Sequence, residues 1–195
     1  CCVASIVGLA VGYRLAFCDV GGAIAFIGGL DKVFLAGMGP DTLSGSIPET
    51  VFFAFQMTFA IITPALIVGA YPERVTFPAV IFFSAVWLII VYAPVTHWVW
   101  GGGWLAEMGV MDFAGGIVVH VTAGVSALVF EKMLGGRRGY PDQVRPPHSP
   151  GVTMTGAAML WGGWFGFNAG SALAADGNAG ICLLYTSPSP RDATL

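Results

Sequence analysis

Five apolar runs dominate this chain, at about residues 1–17, 51–70, 77–95, 113–134 and 152–173. An α-helix needs about 20 residues to cross a hydrocarbon core of ~30 Å, and each run is at or near that length. Lipid offers no partner to an open amide, so a span of this kind has to be helical. Composition points the same way. Of the 195 residues, 56% are apolar and 10% are charged, whereas soluble domains carry about 25% charged residues. Eight Lys or Arg stand against eleven Asp or Glu, and the net charge of −3 is too small and of the wrong sign for a nucleic-acid binder. The 28 glycines suit membrane helices that approach one another closely. The expected class is an all-α membrane protein.

Charges in the connections set an orientation. Arg74 follows the second run; Arg137, Arg138 and Arg145 follow the fourth, with Lys132 at its edge. These two connections, around 71–76 and 135–150, are expected on the cytoplasmic side of a multi-pass protein. The opposite side carries Asp19, Asp31, Asp41, Glu49 and Glu107 against Lys32. Trp98, Trp100 and Trp104 then fall at the outer interface.

Both ends are abrupt. The chain opens on Cys1 and Cys2 without an initiator methionine or a basic leader, which reads as a cut edge. Residues 184–195, LYTSPSPRDATL, exchange apolar side chains for Ser, Pro and charge. They are expected to be a non-native or disordered tail, with residues 1–180 as the transmembrane part. The four cysteines, Cys1, Cys2, Cys18 and Cys182, make neither a paired CxxC site nor a disulfide framework.

Three stretches carry chemistry. In AFQMTF, Phe55 and Phe59 stand at i and i+4 and share a helix face. Alone, that is packing or lipid contact. In WGGWFGFNAGSA, Trp164, Phe167 and Ser171 form one stripe, and Gly162, Gly166 and Gly170 a second. The glycines suit a close neighbour, while the other stripe offers two aromatic rings and a hydroxyl; packing on both faces is the plainer alternative. In DFAGGIVVH, Asp112 is placed to cap a helix N-terminus. His120 sits two turns further on in an apolar run, where an ionisable group needs a cavity or a polar partner. His97 is expected at the wet interface and His148 in a loop. Trp100 precedes three glycines in HWVWGGGW; it is an interfacial anchor or, over a polar vestibule, a cation–π contact. No HExxH motif, phosphate loop or nucleophile–base pair is present. No metal site, cofactor or enzymatic activity is expected.

At these residues the chain resembles the ammonium transporter family (Amt/Mep/Rh), Amt type, over about Gly12 to Ala172. AFQMTFAIITPALIVGAYPER, HWVWGGGWLAEMGVMDFAGGIVVH and GWFGFNAGSA carry the resemblance. It implies a partial helical bundle of the ammonium transporter fold, about five transmembrane helices of an expected eleven, matching spans two to six. It implies a homotrimer in the plasma membrane, ammonium or ammonia as substrate, and a PII-type cytoplasmic regulator in some bacterial members. Phe55, Trp100 and Ser171 resemble the outer recruitment site, and Phe59 and Phe167 the aromatic gate. His120 and Trp164 resemble pore-lining residues, and Asp112 the acid that supports recruitment. Ammonium would be recruited outside, deprotonated at the gate and conducted as ammonia; a half-bundle alone is expected not to conduct. A sensor built on the same fold is the alternative. Arg14 and Cys18 depart from the family pattern. An arginine at that place in a span has to snorkel outward or pair.

Overall fold

The computed structural model describes residues 1–18, 26–29, 33–137, 139–143 and 146–186. Asp19, Asp31, Lys32, Arg138 and Arg145, used above to orient the chain, lie outside the described residues, as does 187–195. Two compact units are formed, Cys1–Arg138 and Gly139–Leu195.

In the first unit, α1 (Cys2–Phe17) is a short apolar helix. A two-residue hairpin, Leu43–Ser44 with Ile47–Pro48, leads into α2 (Glu49–Ala70). Pro48 stops the strand and starts the helix, and Glu49 places an acid in its first turn, where the helix dipole favours it. A third helix, α3, runs over 77–100, and a short α4 (Trp104–Glu107) follows the three glycines. The unit closes with α5 (Gly116–Leu134). Among the described residues, Glu49–Ala70, Phe77–Glu107 and Gly116–Leu134 are long and apolar enough to cross a membrane.

Three of these helices contain a π turn, at Gly8–Gly12 in α1, Leu88–Tyr92 in α3 and Gly116–Val121 at the start of α5. The second has a visible cause. Pro94 has no N–H to give to the Ile90 carbonyl, and the backbone relaxes just ahead of it.

The core lies where α1, α2 and α3 meet. Tyr13 meets Phe53 edge-on, centroids 5.2 Å apart, and Phe17 meets Phe52 in the same way at 5.2 Å. α5 joins through Phe83–Phe130, at 4.6 Å, and through the Trp87 indole N–H, which donates to the Ser126 hydroxyl at 3.0 Å. In lipid such a side-chain hydrogen bond holds helices that have no hydrophobic reason to associate.

At one end of the unit Arg74 fastens the 71–76 turn to the end of α5. It donates to both Glu131 oxygens and to the Gly135 and Ala70 carbonyls, and Arg137 donates to the Gly69 carbonyl at 2.9 Å. The hydrogen bond it donates to Glu131 holds the Arg74 guanidinium above its ordinary pKa. The connections after α2 and α5 therefore lie together.

Two expectations change. His97 is not at a wet interface. Helix α3 continues past residue 95, so His97 is fully buried inside it, with Nδ1 2.9 Å from the Ala16 carbonyl. Arg14 neither snorkels nor pairs through its whole guanidinium. It is 2% exposed, and its Nε and Nη1 have no hydrogen-bond partner. Residues 184–186, part of the expected tail, continue the last helix, Gly177–Thr186.

That helix belongs to the second unit. Here α6 covers 150–169, starting behind Pro150 and ending in a π turn, Phe165–Ala169. After a bend, α7 (Gly177–Thr186) is capped by Asp176, whose Oδ1 accepts from the Asn178 and Ala179 amides at 2.9 and 3.2 Å.

Among the described glycines, Gly101 leaves the least room for a side chain. A Cβ there would stand 1.9 Å from the Ala16 carbonyl oxygen and 2.6 Å from His97 Nδ1. Neither neighbour can yield without moving α1 or α3. Gly101→Ala is expected to lower the thermal midpoint in detergent by several degrees, roughly the effect of 1–3 kcal/mol of overpacking; an unchanged midpoint would show that the two helices are not held this tightly.

Candidate functional site

Three aromatic rings from two helices form one cluster in the Cys1–Arg138 unit. Phe55 and Phe59, one turn apart on α2, meet edge-to-face with centroids 5.0 Å apart and planes at 80°. Phe59 meets Trp100, the last residue of α3, at 5.2 Å and 77°. Phe59 is 1% exposed, while Phe55 and Trp100 are half-buried. Edge-to-face contact places the positive rim of one ring against the negative face of the next, a preferred aromatic geometry.

Trp100 is fixed by a polar contact as well. Its indole N–H donates to the backbone carbonyl of Asp112 at 2.6 Å. The Asp112 side chain is meanwhile occupied with α5. Its Oδ1 accepts from the Gly115 and Gly116 amides at 2.8 and 2.7 Å, and its Oδ2 from Ile117 and Val118, both at 2.8 Å. All four hydrogen bonds come from the start of a helix, where amides lack intrahelical partners. One residue thus closes the end of α5 with its carboxylate and positions the indole with its carbonyl.

Gly115 makes this turn possible. Its φ is +95°, a region L side chains rarely adopt, and a Cβ would stand 2.6 Å from Val119 Cγ2 and 3.6 Å from the Trp100 ring. Nothing in the expectations singled Gly115 out, although the glycine pair after Asp112 was its signal. Beyond it, α5 starts as a π turn over Gly116–Val121, and the His120 amide bonds back to Gly115. The His120 side chain is exposed.

The other three candidates lie in the Gly139–Leu195 unit. Trp164 and Phe167 stack with centroids 4.9 Å apart and planes at 25°. The Ser171 hydroxyl donates to the Phe167 carbonyl at 2.7 Å. The stripe of Trp164, Phe167 and Ser171 is therefore a connected group. Among the described residues no three His, Cys, Asp or Glu side chains gather as a metal site.

Known proteins decide what fold this is. Residues 1–188 match the profile of the Ammonium Transporter Family. The chain belongs to this family. It is similar to an ammonium transporter of Bacillus subtilis, 47% identical over 95% of this chain and 45% of the relative. Among solved structures it is similar to Saccharomyces cerevisiae Mep2, with a TM-score of 0.81 at 35% identity, covering 91% of this chain and 40% of that one. It is also similar to a protein described as a sensor Amt protein, with a TM-score of 0.77 at 35% identity over 92% and 46%. The chain spans less than half the length of each of these relatives, and its helices are a part of the ammonium transporter fold.

The four amide contacts give Asp112 a measurable weight. Asp112→Ala is expected to cost about 1–2 kcal/mol of stability, the usual range for losing a helix N-cap. Asp112→Asn keeps one acceptor oxygen and is expected to lie between the two. Thermal unfolding of the three proteins checks the order.

Proposed function

We propose that this chain supplies part of the conduction path of an ammonium transporter, a multi-pass protein of the plasma membrane acting as a homotrimer. Phe55, Trp100 and Ser171 recruit ammonium at the outer side. Phe59 and Phe167 form the gate below, and His120 and Trp164 line the route that ammonia then takes. The single observation that carries the reading is the Phe55–Phe59–Trp100 cluster, with its indole held by the Asp112 carbonyl.

The chemistry follows from size and hydration. Ammonium is small and strongly hydrated, so it enters only where something replaces part of its water. Aromatic faces do this by cation–π attraction, and a hydroxyl does it as an acceptor. A buried ring such as Phe59 makes the next step expensive for a charge. Giving up the proton leaves neutral ammonia, which passes without that penalty. Asp112 acts at one remove: its carboxylate is spent on four amides, and its carbonyl keeps Trp100 in place. A histidine beyond the gate offers a polar wall or a proton relay in an apolar passage. Metal ions, which cannot shed a proton, are rejected by their dehydration cost. This is transport without enzymatic turnover. A PII-type regulator would meet the end of the bundle where Arg74 binds Glu131.

The sensor reading rests on the likeness to the sensor Amt protein. It differs in requiring a cytoplasmic output domain, and the recruitment residues would serve it equally well.

Two variants test the transport reading in a full-length chain carrying these residues. Trp100→Leu is expected to weaken ammonium uptake about 2- to 30-fold at low concentration, the range of one cation–π contact. His120→Ala is expected to change uptake or selectivity while leaving the thermal midpoint near its original value. Unchanged uptake of isotopically labelled ammonium in both would remove these residues from the path.

A further inference from the structure

A groove of about 420 Å³ runs between α3 and α5 in the first unit. Phe83, Trp87 and Val91 form one wall; Val125, Val129 and Met133 form the other. No residue of the proposed conduction path lines it. Its polar side chains are spoken for. The Ser126 hydroxyl donates to the Thr122 carbonyl at 2.8 Å and accepts from the Trp87 indole at 3.0 Å. The groove therefore leaves a guest no side-chain hydrogen bond, and what fills it has to be hydrocarbon. Val125, Val129 and Met133 are exposed, so the groove is open along its length.

Depth and charge identify the guest further. On α5 the lining runs from Val125 to Leu134, which is about 14 Å at 1.5 Å per residue. That is about half of a ~30 Å hydrocarbon core, the depth of one leaflet. The end at Leu134 lies beside basic charge. Lys132 follows Val125 by seven positions and Val129 by three, which sets it on their side of the helix. Lys132 is exposed, and so is Arg137, just past the end of α5. Arg137 spends one nitrogen on the Gly69 carbonyl and keeps further donors. Around this end Arg74, Lys132 and Arg137 stand against Glu73 and Glu131, and Glu131 is already closed on Arg74. The balance is positive, and basic side chains at the cytoplasmic end of a space between spans suit an anionic lipid headgroup.

We propose that this groove seats one acyl chain of an anionic glycerophospholipid from the cytoplasmic leaflet, with its headgroup at Lys132 and Arg137. The proposal rests on the reading that α3 and α5 span the membrane with the Arg74 end inside. The acyl chain fills the space that the two helices leave between them, and extends a contact otherwise made by Phe83–Phe130 and Trp87–Ser126. The headgroup supplies an anion to Lys132, which makes no ion pair among the described residues. A lipid in this place braces the helix that carries His120.

The test is native mass spectrometry of the full-length protein in non-ionic detergent, titrated with dioleoyl phosphatidylglycerol and, as the neutral match, dioleoyl phosphatidylcholine. Binding in detergent reads the groove whether or not the protein conducts, so a failure here leaves the transport reading standing. Phosphatidylglycerol is expected to bind more tightly. Lys132→Gln and Arg137→Gln are each expected to reduce that preference about fivefold, the weight of one cation near a lipid surface. Val129→Trp fills the groove from an exposed position and is expected to remove one bound lipid of either kind. An unchanged preference in both charge variants, or an unchanged lipid count in Val129→Trp, overturns the proposal. So does a map of the full-length protein in lipid nanodiscs in which a helix of the same or a neighbouring subunit lies in the groove. The orientation is read separately, by labelling Lys132→Cys with a membrane-impermeant maleimide. Labelling beyond that of the parent protein is expected only after the cells are opened; labelling in intact cells overturns the leaflet assignment.

Discussion

The Asp112 carboxylate closing the first turn of α5 is the contact on which the candidate site depends. Four amides converge on two oxygens, so the acid cannot rotate without giving up all four hydrogen bonds. Because the side chain is immobilised, so is its backbone carbonyl, and through it the Trp100 indole. Trp100 in turn meets Phe59, and Phe59 meets Phe55. A chain of contacts thus runs from a helix terminus in α5, across the end of α3, to two rings on α2. Polar fixation at one end spares the aromatic rings from having to hold themselves in place by packing alone.

The rest of the first unit shows how a bundle in lipid is assembled with few polar contacts. The Trp87–Ser126 hydrogen bond joins α3 to α5, and His97 reaches the Ala16 carbonyl to join α3 to α1. At the end carrying Arg74 the cohesion is ionic, through Glu131. Between these fixed points, the helices meet through aromatic edges and small residues. Gly101, wedged against Ala16 and His97, shows how far backbones close up when a side chain is left out.

Much of this was legible in the sequence, and the places where it was not share a physical cause. Apolar run length shows α2, α3 and α5, because the bilayer imposes both length and helicity. Asp112 is recognisable as a cap from its place ahead of an apolar run. Phe55 and Phe59 share a face by the simple period of a helix. His97 was misplaced because apolarity falls near residue 95 while the helix does not stop there; its burial comes from Ala16, which is 81 residues away. Arg14 was expected to snorkel outward or pair; it is enclosed rather than turned outward, and its Nε and Nη1 have no hydrogen-bond partner. The importance of Gly115 depends on a positive φ and on the distance to Val119, neither of which a residue name displays. The π turns were invisible for a similar reason: they are a matter of backbone geometry, and only the one before Pro94 has a residue beside it that names a cause.

The π turn at Leu88–Tyr92 has a consequence for the geometry of α3. A regular α-helix advances about 100° per residue, and a π turn holds an extra residue in nearly the same rise. Everything beyond Tyr92 is therefore offset in azimuth from the half of the helix that begins at Phe77. Trp87 faces Ser126 and Trp100 faces Phe59, and those two headings are reconciled by one surplus residue. The widened turn acts as a phase shifter within a single rod: one half of the helix is keyed to its neighbour in the bundle, and the other is keyed to the aromatic cluster.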